Sequence, residues 1–228
     1  MADGGAIVCV IPAFRAGRTV PAVVRGLRTA LPRAVVIGVD DGSDDDTAAV
    51  LRAEADEAIV LPANRGKGAA LRAGLARALE IGAAAVVTID ADGQHDARSA
   101  PVLVSALADA DLVVGSRSRA GSEMPLGRRL TNTLSNVAVS RLAGRRLPDT
   151  QSGFRAMTAE VVRAVRPAGD RYEFEIEFLL GAARSGYRIA SVPIPTVYDG
   201  RSPSHFRPLR DGFRVAREFW RFSHHMHR

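Results

Sequence analysis

The sequence predicts an α/β fold with a mostly parallel sheet and helices on both faces of that sheet. Apolar runs alternate with helix-like segments through the first 117 residues, and this alternation is typical of parallel sheets. The runs are continuously apolar, as in strands buried on both faces. Two of them end in acidic residues, at the edge where open α/β sheets bind their ligands.

The first half of the chain contains five predicted strands and four predicted helices. The strands are short apolar runs that end at polar residues, proline or glycine: Ala6–Ile11, Ala34–Val39, Ala58–Leu61, Ala83–Thr88 and Asp111–Gly115. The helices have apolar residues at spacings of three and four: Thr19–Leu31, Asp44–Ala55, Gly66–Ile81 and Ala97–Leu107.

The second half is less regular, and we expect it to complete the same domain. The predicted elements are helices at Leu126–Leu142, Glu173–Ser185 and Arg207–Ser223, and extended segments at Gly153–Met157 and Tyr187–Val197. Pro193 and Pro195 favour an edge position for the last of these segments. With no repeat or low-complexity linker, we expect one domain over 1–228, with a nucleotide-binding half at about 1–117, an acceptor half at about 118–204 and a basic helix at 205–228.

Composition limits the class of protein. The chain has 228 residues, 46% of them hydrophobic, which is ample for a core. Its net charge of +6, carried almost entirely by arginine, suggests anionic partners and suits phosphate. The only cysteine, Cys9, lies in a predicted strand and is expected to be a buried apolar residue. No run is long enough to span a membrane, so we expect a cytoplasmic protein, either soluble or bound at a membrane surface.

Asp90 and Asp92 are the strongest functional signal. They follow a predicted strand, and the alternation of side chains lets both point to the same side. Two carboxylates held so close are costly unless a cation or a proton separates them. A hard divalent cation that also binds a substrate phosphate satisfies that requirement, with Gln94 as a third oxygen ligand. A metal-free acidic turn is the alternative, and we expect His95 to be structural.

Two other loops follow predicted strands. Asp40 and Asp41 could bind a base or a ribose hydroxyl, or form a solvated acidic turn. Lys67 lies between two glycines at a predicted helix start, where a phosphate or a ribose hydroxyl could bind; a plain helix cap is the alternative. The first strand lacks the G-x-G-x-x-G pattern, which argues against a dinucleotide oxidoreductase.

Further polar residues lie in the second half. Arg117 ends a predicted strand, and Arg128 and Arg129 share a predicted helix with Asn132, Thr133 and Ser135, a combination that suits an anion or a solvated face. Asp149 opens a polar loop that is either part of a site or a well-bonded turn. Of Glu173, Glu175 and Glu177, one could neutralise a buried arginine or line the site.

The last predicted helix carries an apolar stripe beside a basic one. The apolar stripe is Leu209, Phe213, Ala216 and Trp220, and the basic stripe is Arg210, Arg214, Arg217 and Arg221. A basic amphipathic helix with aromatic residues is typical of a membrane surface. Docking of the helix onto the domain core would give the same apolar stripe.

Taken in order, these motifs resemble the inverting family 2 glycosyltransferases of GT-A fold, and among them the polyprenyl- and dolichyl-phosphate mannose and glucose synthases. The matching segments cover nearly the whole chain: Val10–Ala13, Val39–Ser43, Asn64–Gly68, Asp90–His95, Gly115–Arg117, Asp149–Arg155, Val192–Tyr198 and Ser204–Arg207.

The resemblance implies a role for each motif. The nucleotide-sugar would be held by Pro12, Ala13, Asp40, Asp41, Lys67, Asp90, Ala91 and Asp92. Mg²⁺ or Mn²⁺ would be held by Asp90, Asp92 and Gln94. The acceptor phosphate would be held by Arg117, Arg128, Arg129, Ser135, His205 and Arg207. The catalytic residues would be Asp92, Arg117 and Asp149.

The implied reaction moves a hexose from a nucleotide-diphosphate sugar, GDP-mannose or a UDP-hexose, to a polyprenyl phosphate at the inner face of the cell membrane. Two departures from the family pattern bear on this. The first strand continues as Phe14-Arg15-Ala16 where the family has an aromatic-Asn-Glu sequence. Many relatives carry transmembrane helices after this domain and this sequence has none, so contact with anionic membrane would fall to the final helix or to a membrane-protein partner.

Two other functions are open from the sequence. A family 2 transferase acting on a saccharide hydroxyl would need a general base, for which Asp149 is the candidate. A non-catalytic module would bind acidic membrane or nucleic acid through the basic helix. We expect no nucleic-acid partner, because the basic residues are not interleaved with the aromatic residues of a base-stacking platform.

Overall fold

The computed structural model describes residues 5–117, 136, 140–141, 149–150, 152–171 and 173–195. Seven strands lie in these ranges: β1 (Ala6–Ala13), β2 (Val35–Asp40), β3 (Glu57–Val60), β4 (Ala83–Thr88), β5 (Leu112–Arg117), β6 (Arg155–Thr158) and β7 (Ile189–Ile194). The helices are α1 (Val20–Ala30), α2 (Thr47–Glu54), α3 (Lys67–Glu80), α4 (Ala100–Ser105), α5 (Ala159–Ala164) and α6 (Glu173–Arg184).

The strands form one sheet in the order β3-β2-β1-β4-β6-β5-β7. All described pairings are parallel except those of β6, which runs antiparallel to both β4 and β5. β7 lies at one end of this order, where Pro193 and Pro195 predicted an edge strand. The α/β class with a mostly parallel sheet is therefore confirmed.

The core consists of two apolar layers, one on each face of the sheet. Side chains of β1 alternate between them: Cys9 and Ile11 pack with α1 and α4, whereas Val8 and Val10 pack with α3, α5 and α6. Burial on both faces explains why the strands read as continuous apolar runs. Cys9 is buried as predicted, and burial, with Asp56 nearby, raises the pKa of its thiol to about 12.

The helix predictions fail in two places. The segment predicted as one helix at Ala97–Leu107 is broken into a 3₁₀ turn at Ala97–Ser99, α4, and a second 3₁₀ turn at Ala106–Ala108; Pro101 lies in the first turn of α4 and has no N–H to continue a ladder. α5 was not predicted, because its six residues are too few to show a periodicity.

Two predicted helices lie wholly or mostly outside the described residues. Of Leu126–Leu142 the structure describes only residues 136, 140 and 141, all helical, and Arg207–Ser223 lies entirely outside. Among the residues described, no helix is both long and apolar enough to cross a lipid bilayer.

Candidate functional site

The carboxyl ends of β2, β1 and β4 meet at one edge of the sheet. β1 lies between the other two strands, with Ala13 beside Asp40 and Val10 beside Thr88. Asp90 follows β4 by two residues. The sheet therefore brings the predicted residues of the first two loops and the aspartate pair to the same edge, where open α/β sheets form the crevice that binds their ligands. Pro12, Ala13 and Ala91 are buried at this edge.

Asp40 and Asp41 are both buried and accept hydrogen bonds from their own chain. Asp40 accepts from the amide of Ser43 at 3.2 Å and from its hydroxyl. Asp41 accepts from the amides of Arg65 at 2.9 Å and Gly66 at 2.7 Å. These carboxylates fix the loop after β2 and the loop before α3, so they shape the walls of the crevice.

The segment that departs from the family pattern is fixed to the acidic turn after β2. Arg15 has a left-handed backbone, with φ of 50°, and its amide donates to the Ser43 hydroxyl at 2.9 Å. Its guanidinium binds both carboxylate oxygens of Asp44, at 2.7 and 2.6 Å. Arg15 therefore joins the segment after β1 to the acidic turn after β2, partly through an exposed ion pair.

The start of α3 is covered by chain. Gly66 has φ of 115°, and the amide of Ala69 donates to the carbonyl of Asp170 at 3.0 Å. A Cβ on Gly68 would lie 2.6 Å from the Cβ of Phe174 and 2.7 Å from the carbonyl carbon of Asp170. The two glycines therefore allow segment 170–174 to approach closely. This contact favours the plain-cap interpretation of the glycines.

Lys67 links the two halves of the chain through a partly buried ion-pair network. Its Nζ lies 2.6 Å from Oδ1 of Asp90 and 3.0 Å from Oε1 of Glu175 on α6. Burial disfavours the ammonium, but Asp90 and Glu175 outweigh it and raise the pKa of Lys67. Burial likewise opposes ionisation of Asp90, and Lys67 with His95 and Arg155 outweighs it and lowers the pKa of Asp90. Both groups are therefore charged at neutral pH.

Arg155 holds the loop after Asp149 in place through hydrogen bonds to its backbone. Its guanidinium donates to the carbonyls of Ser152 at 2.9 Å, Thr150 at 3.0 Å and Glu175 at 2.9 Å. The Glu175 carboxylate lies 4.0 Å away, which confirms that one glutamate of α6 neutralises a buried arginine. Burial lowers the pKa of Arg155, although Glu175, Asp90 and Asp149 oppose the change. Asp149 itself is buried at the start of this loop.

Gly153 packs against the side chain of Asp90. A Cβ on Gly153 would lie 2.5 Å from both carboxylate oxygens of Asp90, so no other residue fits there without displacing that side chain. The Gly153 carbonyl accepts from the Thr88 hydroxyl at 3.0 Å, which ties the loop to β4. Sequence reasoning missed the roles of Gly153 and Arg155; the available signal was an arginine between apolar residues of a predicted strand.

Asp92 is the exposed member of the aspartate pair. Its Oδ1 accepts from the amide of Gln94 at 3.0 Å. His95 is buried against the ring of Phe154, with 5.6 Å between ring centroids, in agreement with a structural role. Within the described ranges, no three His, Cys, Asp or Glu side chains gather as a ready metal cage. Two carboxylates beside an open crevice nevertheless fit Mg²⁺ or Mn²⁺, since Mg²⁺ usually takes one or two carboxylates and completes its shell with water and substrate phosphates.

For the predicted acceptor-phosphate residues, the structure describes only the backbone of Arg117. Arg117 ends β5, on the same sheet, but its side chain is outside the described atoms. Arg128, Arg129, Ser135, His205 and Arg207 are outside the described residues. Their roles stay predictions.

Comparison with known proteins identifies relatives along most of the chain. Residues 8–166 match the model of glycosyl transferase family 2. An undecaprenyl-phosphate mannosyltransferase of Micrococcus luteus is 33% identical over 202 residues, which are 84% of this chain and 83% of the relative. A UDP-N-acetylglucosamine–dolichyl-phosphate N-acetylglucosaminyltransferase of Methanococcus voltae is 31% identical over 92% of each chain.

A solved structure shares the fold. Glucosyl-3-phosphoglycerate synthase of Mycobacterium tuberculosis, in complex with Mn²⁺, UDP and glucosyl-3-phosphoglycerate, superposes with a TM-score of 0.74 at 24% identity, over 95% of this chain and 77% of that chain. Another structure of the same synthase holds Mg²⁺ and UDP. The likeness places this chain in the GT-A fold.

Proposed function

The chain belongs to glycosyl transferase family 2, and we propose that it moves a hexose from a nucleotide-diphosphate sugar to a polyprenyl phosphate with inversion at the anomeric carbon. One observation carries the proposal: the aspartate pair stands at the carboxyl edge of the sheet, beside the loops that follow β1 and β2. The relatives named for undecaprenyl- and dolichyl-phosphate support the acceptor class. Their different sugars leave the hexose of this enzyme open.

The nucleotide-sugar would lie along the carboxyl edge of the sheet. Pro12, Ala13, Asp40 and Asp41 would surround the base and ribose, since their loops form the walls of the crevice there. Lys67, Asp90, Ala91 and Asp92 would face the diphosphate and the sugar. Each of these residues except Asp92 is at least partly buried, which suits a site built before its ligand binds.

Asp92, with Asp90 and Gln94, would hold Mg²⁺ or Mn²⁺ on the diphosphate. The metal would neutralise charge that builds on the leaving nucleotide diphosphate. Asp92 is the better placed carboxylate, because Oδ1 of Asp90 is already paired with Lys67.

The acceptor phosphate would be bound by Arg117, Arg128, Arg129, Ser135, His205 and Arg207. Arginines suit this task because they hold two anions close together against their repulsion. A phosphate monoester is ionised at neutral pH and can attack the anomeric carbon, on the face opposite the leaving group, without a strong general base.

A saccharide hydroxyl is the second acceptor to test, because Asp149 is buried beside Arg155 and could act as a general base. With a hydroxyl acceptor, kcat would fall as pH decreases, and Asp149→Asn would remove that dependence. With a phosphate acceptor, Asp149→Asn would leave the shape of the pH profile unchanged. The rate measured from pH 5 to pH 8 with each acceptor decides between them.

We also place the enzyme at the cytoplasmic face of the membrane. The segment from Arg207 to Arg228 has six arginines against Asp211 and Glu218, and a basic amphipathic helix binds anionic lipid. Flotation with phosphatidylglycerol vesicles, lost in high salt, is the expected result. Equal flotation with neutral vesicles, or none, would contradict it.

Thermal stabilisation by nucleotides tests the donor site. UDP, GDP and their common sugars are added in turn with Mn²⁺, Mg²⁺ or EDTA, since a ligand that binds only the native state raises the melting temperature. We expect stabilisation by one nucleotide family, lost in EDTA. If no nucleotide stabilises the protein, the donor-site proposal fails.

A further inference from the structure

Lys67 is the only lysine in the chain. The sequence has 31 basic residues other than histidine, and 30 of them are arginine. In a chain whose other basic residues besides histidine are all arginine, the one lysine lies between the carboxylates of Asp90 and Glu175. This position calls for an ammonium rather than a guanidinium.

The geometry explains the choice. Nζ of Lys67 is within 3.0 Å of both Asp90 and Glu175, and its side chain is only 20% exposed. An ammonium is compact and can turn its three donors between partners, whereas a guanidinium is planar and holds a fixed fork. Glu175 belongs to α6, whose start is packed against Gly68 through Phe174. The contact between Gly68 and Phe174 therefore also keeps the Glu175 carboxylate within reach of Lys67.

A divalent cation held by Asp90 in the proposed site would compete with this ammonium for the same carboxylate. Two cations on one partly buried carboxylate repel each other. The Asp90 carboxylate occupies the space that a Cβ on Gly153 would fill, so it is closely packed on that side. The Lys67 side chain is the flexible partner, and Glu175 is an anion already in contact with it.

We propose that Lys67 is a resident counter-ion of the nucleotide-sugar site: its ammonium neutralises Asp90 before the metal–nucleotide binds, and passes to Glu175 when the metal–nucleotide arrives. Glu175 is then a positioning residue, which acts on the site by holding Lys67 away from Asp90. The inference rests on the proposed function for the identity of the ligand. No covalent step is involved.

The single lysine makes the movement directly observable. Protein grown with lysine labelled at the side-chain nitrogen with ¹⁵N gives one side-chain nitrogen resonance in NMR. We expect this resonance to shift when Mg²⁺ and the stabilising nucleotide are added together, and to return when EDTA removes the metal. Glu175→Gln should abolish the shift or change its direction, because the second carboxylate is gone.

Metal affinity supplies the second readout. Mn²⁺ alone is titrated by electron paramagnetic resonance, with Asp92→Ala as the background for other acidic groups. Lys67→Met should bind Mn²⁺ about tenfold more tightly than the wild type, because the competing cation is gone. Glu175→Gln should bind it about tenfold more weakly, because Lys67 then stays on Asp90. Glu57→Gln, which removes a carboxylate from the surface pair with Arg77, should not change the affinity.

The outcomes separate the inference from the function on which it rests. If the wild type binds neither Mn²⁺ nor any metal–nucleotide above the Asp92→Ala background, the proposed function fails and the inference with it. If the wild type binds but its lysine resonance does not move, or if Lys67→Met binds Mn²⁺ no more tightly, the inference alone is overturned. If Glu175→Gln fails to fold, the lysine resonance of the wild type and the Mn²⁺ affinity of Lys67→Met still test the inference.

Discussion

At the scale of single residues, the site is organised around the two aspartates, which have opposite environments. Asp90 is held between Gly153 and Lys67, whereas Asp92 is exposed and bonded to the amide of Gln94. Asp90 is paired before the ligand binds and would take the metal only after Lys67 moves to Glu175, whereas an exposed carboxylate can take a metal together with its waters at once. The two substitutions below separate these roles.

Asp92→Ala should abolish sugar transfer and leave the fold intact. Because the side chain is exposed, the free energy of unfolding should change by no more than about 0.5 kcal/mol. The loss of the metal ligand should lower kcat/KM by about 100-fold or more. Steady-state kinetics and thermal unfolding of the same preparation measure both quantities. Activity within about tenfold of the wild type would refute the metal role.

Gly153→Ala should damage the nucleotide-sugar site through Asp90. The new methyl group would meet both carboxylate oxygens, and relieving that overlap should cost about 1–3 kcal/mol of stability. Nucleotide-dependent stabilisation should be lost as well. Gly82→Ala is the matched control, because Gly82 has φ of 80° and no neighbour within 4 Å. It should lose about 1–2 kcal/mol and keep nucleotide binding; equal binding losses in both variants would exclude a specific contact at Asp90.

At the scale of elements, the antiparallel strand β6 is what joins the two halves of the site. It lies between β4 and β5, so it brings Arg155 and Gly153 next to the end of β4. The loop before α6 then packs on the start of α3, and Lys67 meets Glu175 across 108 positions of sequence. The nucleotide-binding half is thus completed by residues from the second half.

Arg72→Met tests whether the packing of segment 170–174 on the start of α3 holds Lys67 in place. Arg72 binds Asp170 and donates to the carbonyls of Pro167, Ala168 and Gly169. Its loss should cost about 1–2 kcal/mol, since the side chain is partly exposed, and should weaken nucleotide binding by loosening segment 170–174 at Gly66 and Gly68. Arg28→Met removes a comparable surface arginine that binds Asp56 and the carbonyl of Glu54. Normal nucleotide binding in Arg72→Met would contradict the account.

The edge strand β7 should give the protein a measurable dependence of stability on pH. Asp111 accepts from the amide of Arg188 at 2.7 Å and from its guanidinium at 3.0 Å. These hydrogen bonds hold the pKa of Asp111 below its ordinary value of 3.8. Because the folded pKa is the lower one, the stabilisation is complete above about pH 4 and is lost as pH falls through the folded pKa.

Asp111→Asn tests the predicted direction of this pH dependence. At pH 7 the variant should be less stable by about 1 kcal/mol, and the difference from the wild type should shrink toward about pH 3. Urea unfolding at a series of pH values measures it. A difference that stays constant with pH would show that Asp111 acts by packing rather than by charge.

The elements that depend on local pattern could be predicted, and those that depend on distant contacts could not. The continuous apolar run of β1 and the spacing of α1 are properties of neighbouring residues, and both were predicted correctly. The antiparallel pairing of β6 depends on residues about seventy positions away, such as Val87 opposite Ala156. Likewise, the aspartate pair is visible in sequence, but its partner Glu175 becomes apparent only when the chain is folded.

At the scale of the whole molecule, one sheet carries the proposed nucleotide-sugar site, and the second half supplies both its internal charge partners and the proposed acceptor residues. Buried ion pairs of this kind contribute little net stability, because desolvation offsets their attraction. Their value here is in fixing geometry across halves that are otherwise far apart in sequence. We therefore expect substitutions in the Lys67 network to change binding more than they change stability.

Sugar transfer to a lipid phosphate is the measurement that tests the central claim most directly. Each radiolabelled nucleotide-sugar is incubated with the protein, Mg²⁺ or Mn²⁺, and either undecaprenyl phosphate or undecaprenol in detergent. We predict an organic-soluble, acid-labile product with one donor and the phosphate acceptor only, abolished by EDTA and by Asp92→Ala. Transfer to a free hydroxyl at the same rate, or a rate that EDTA does not change, would contradict the account.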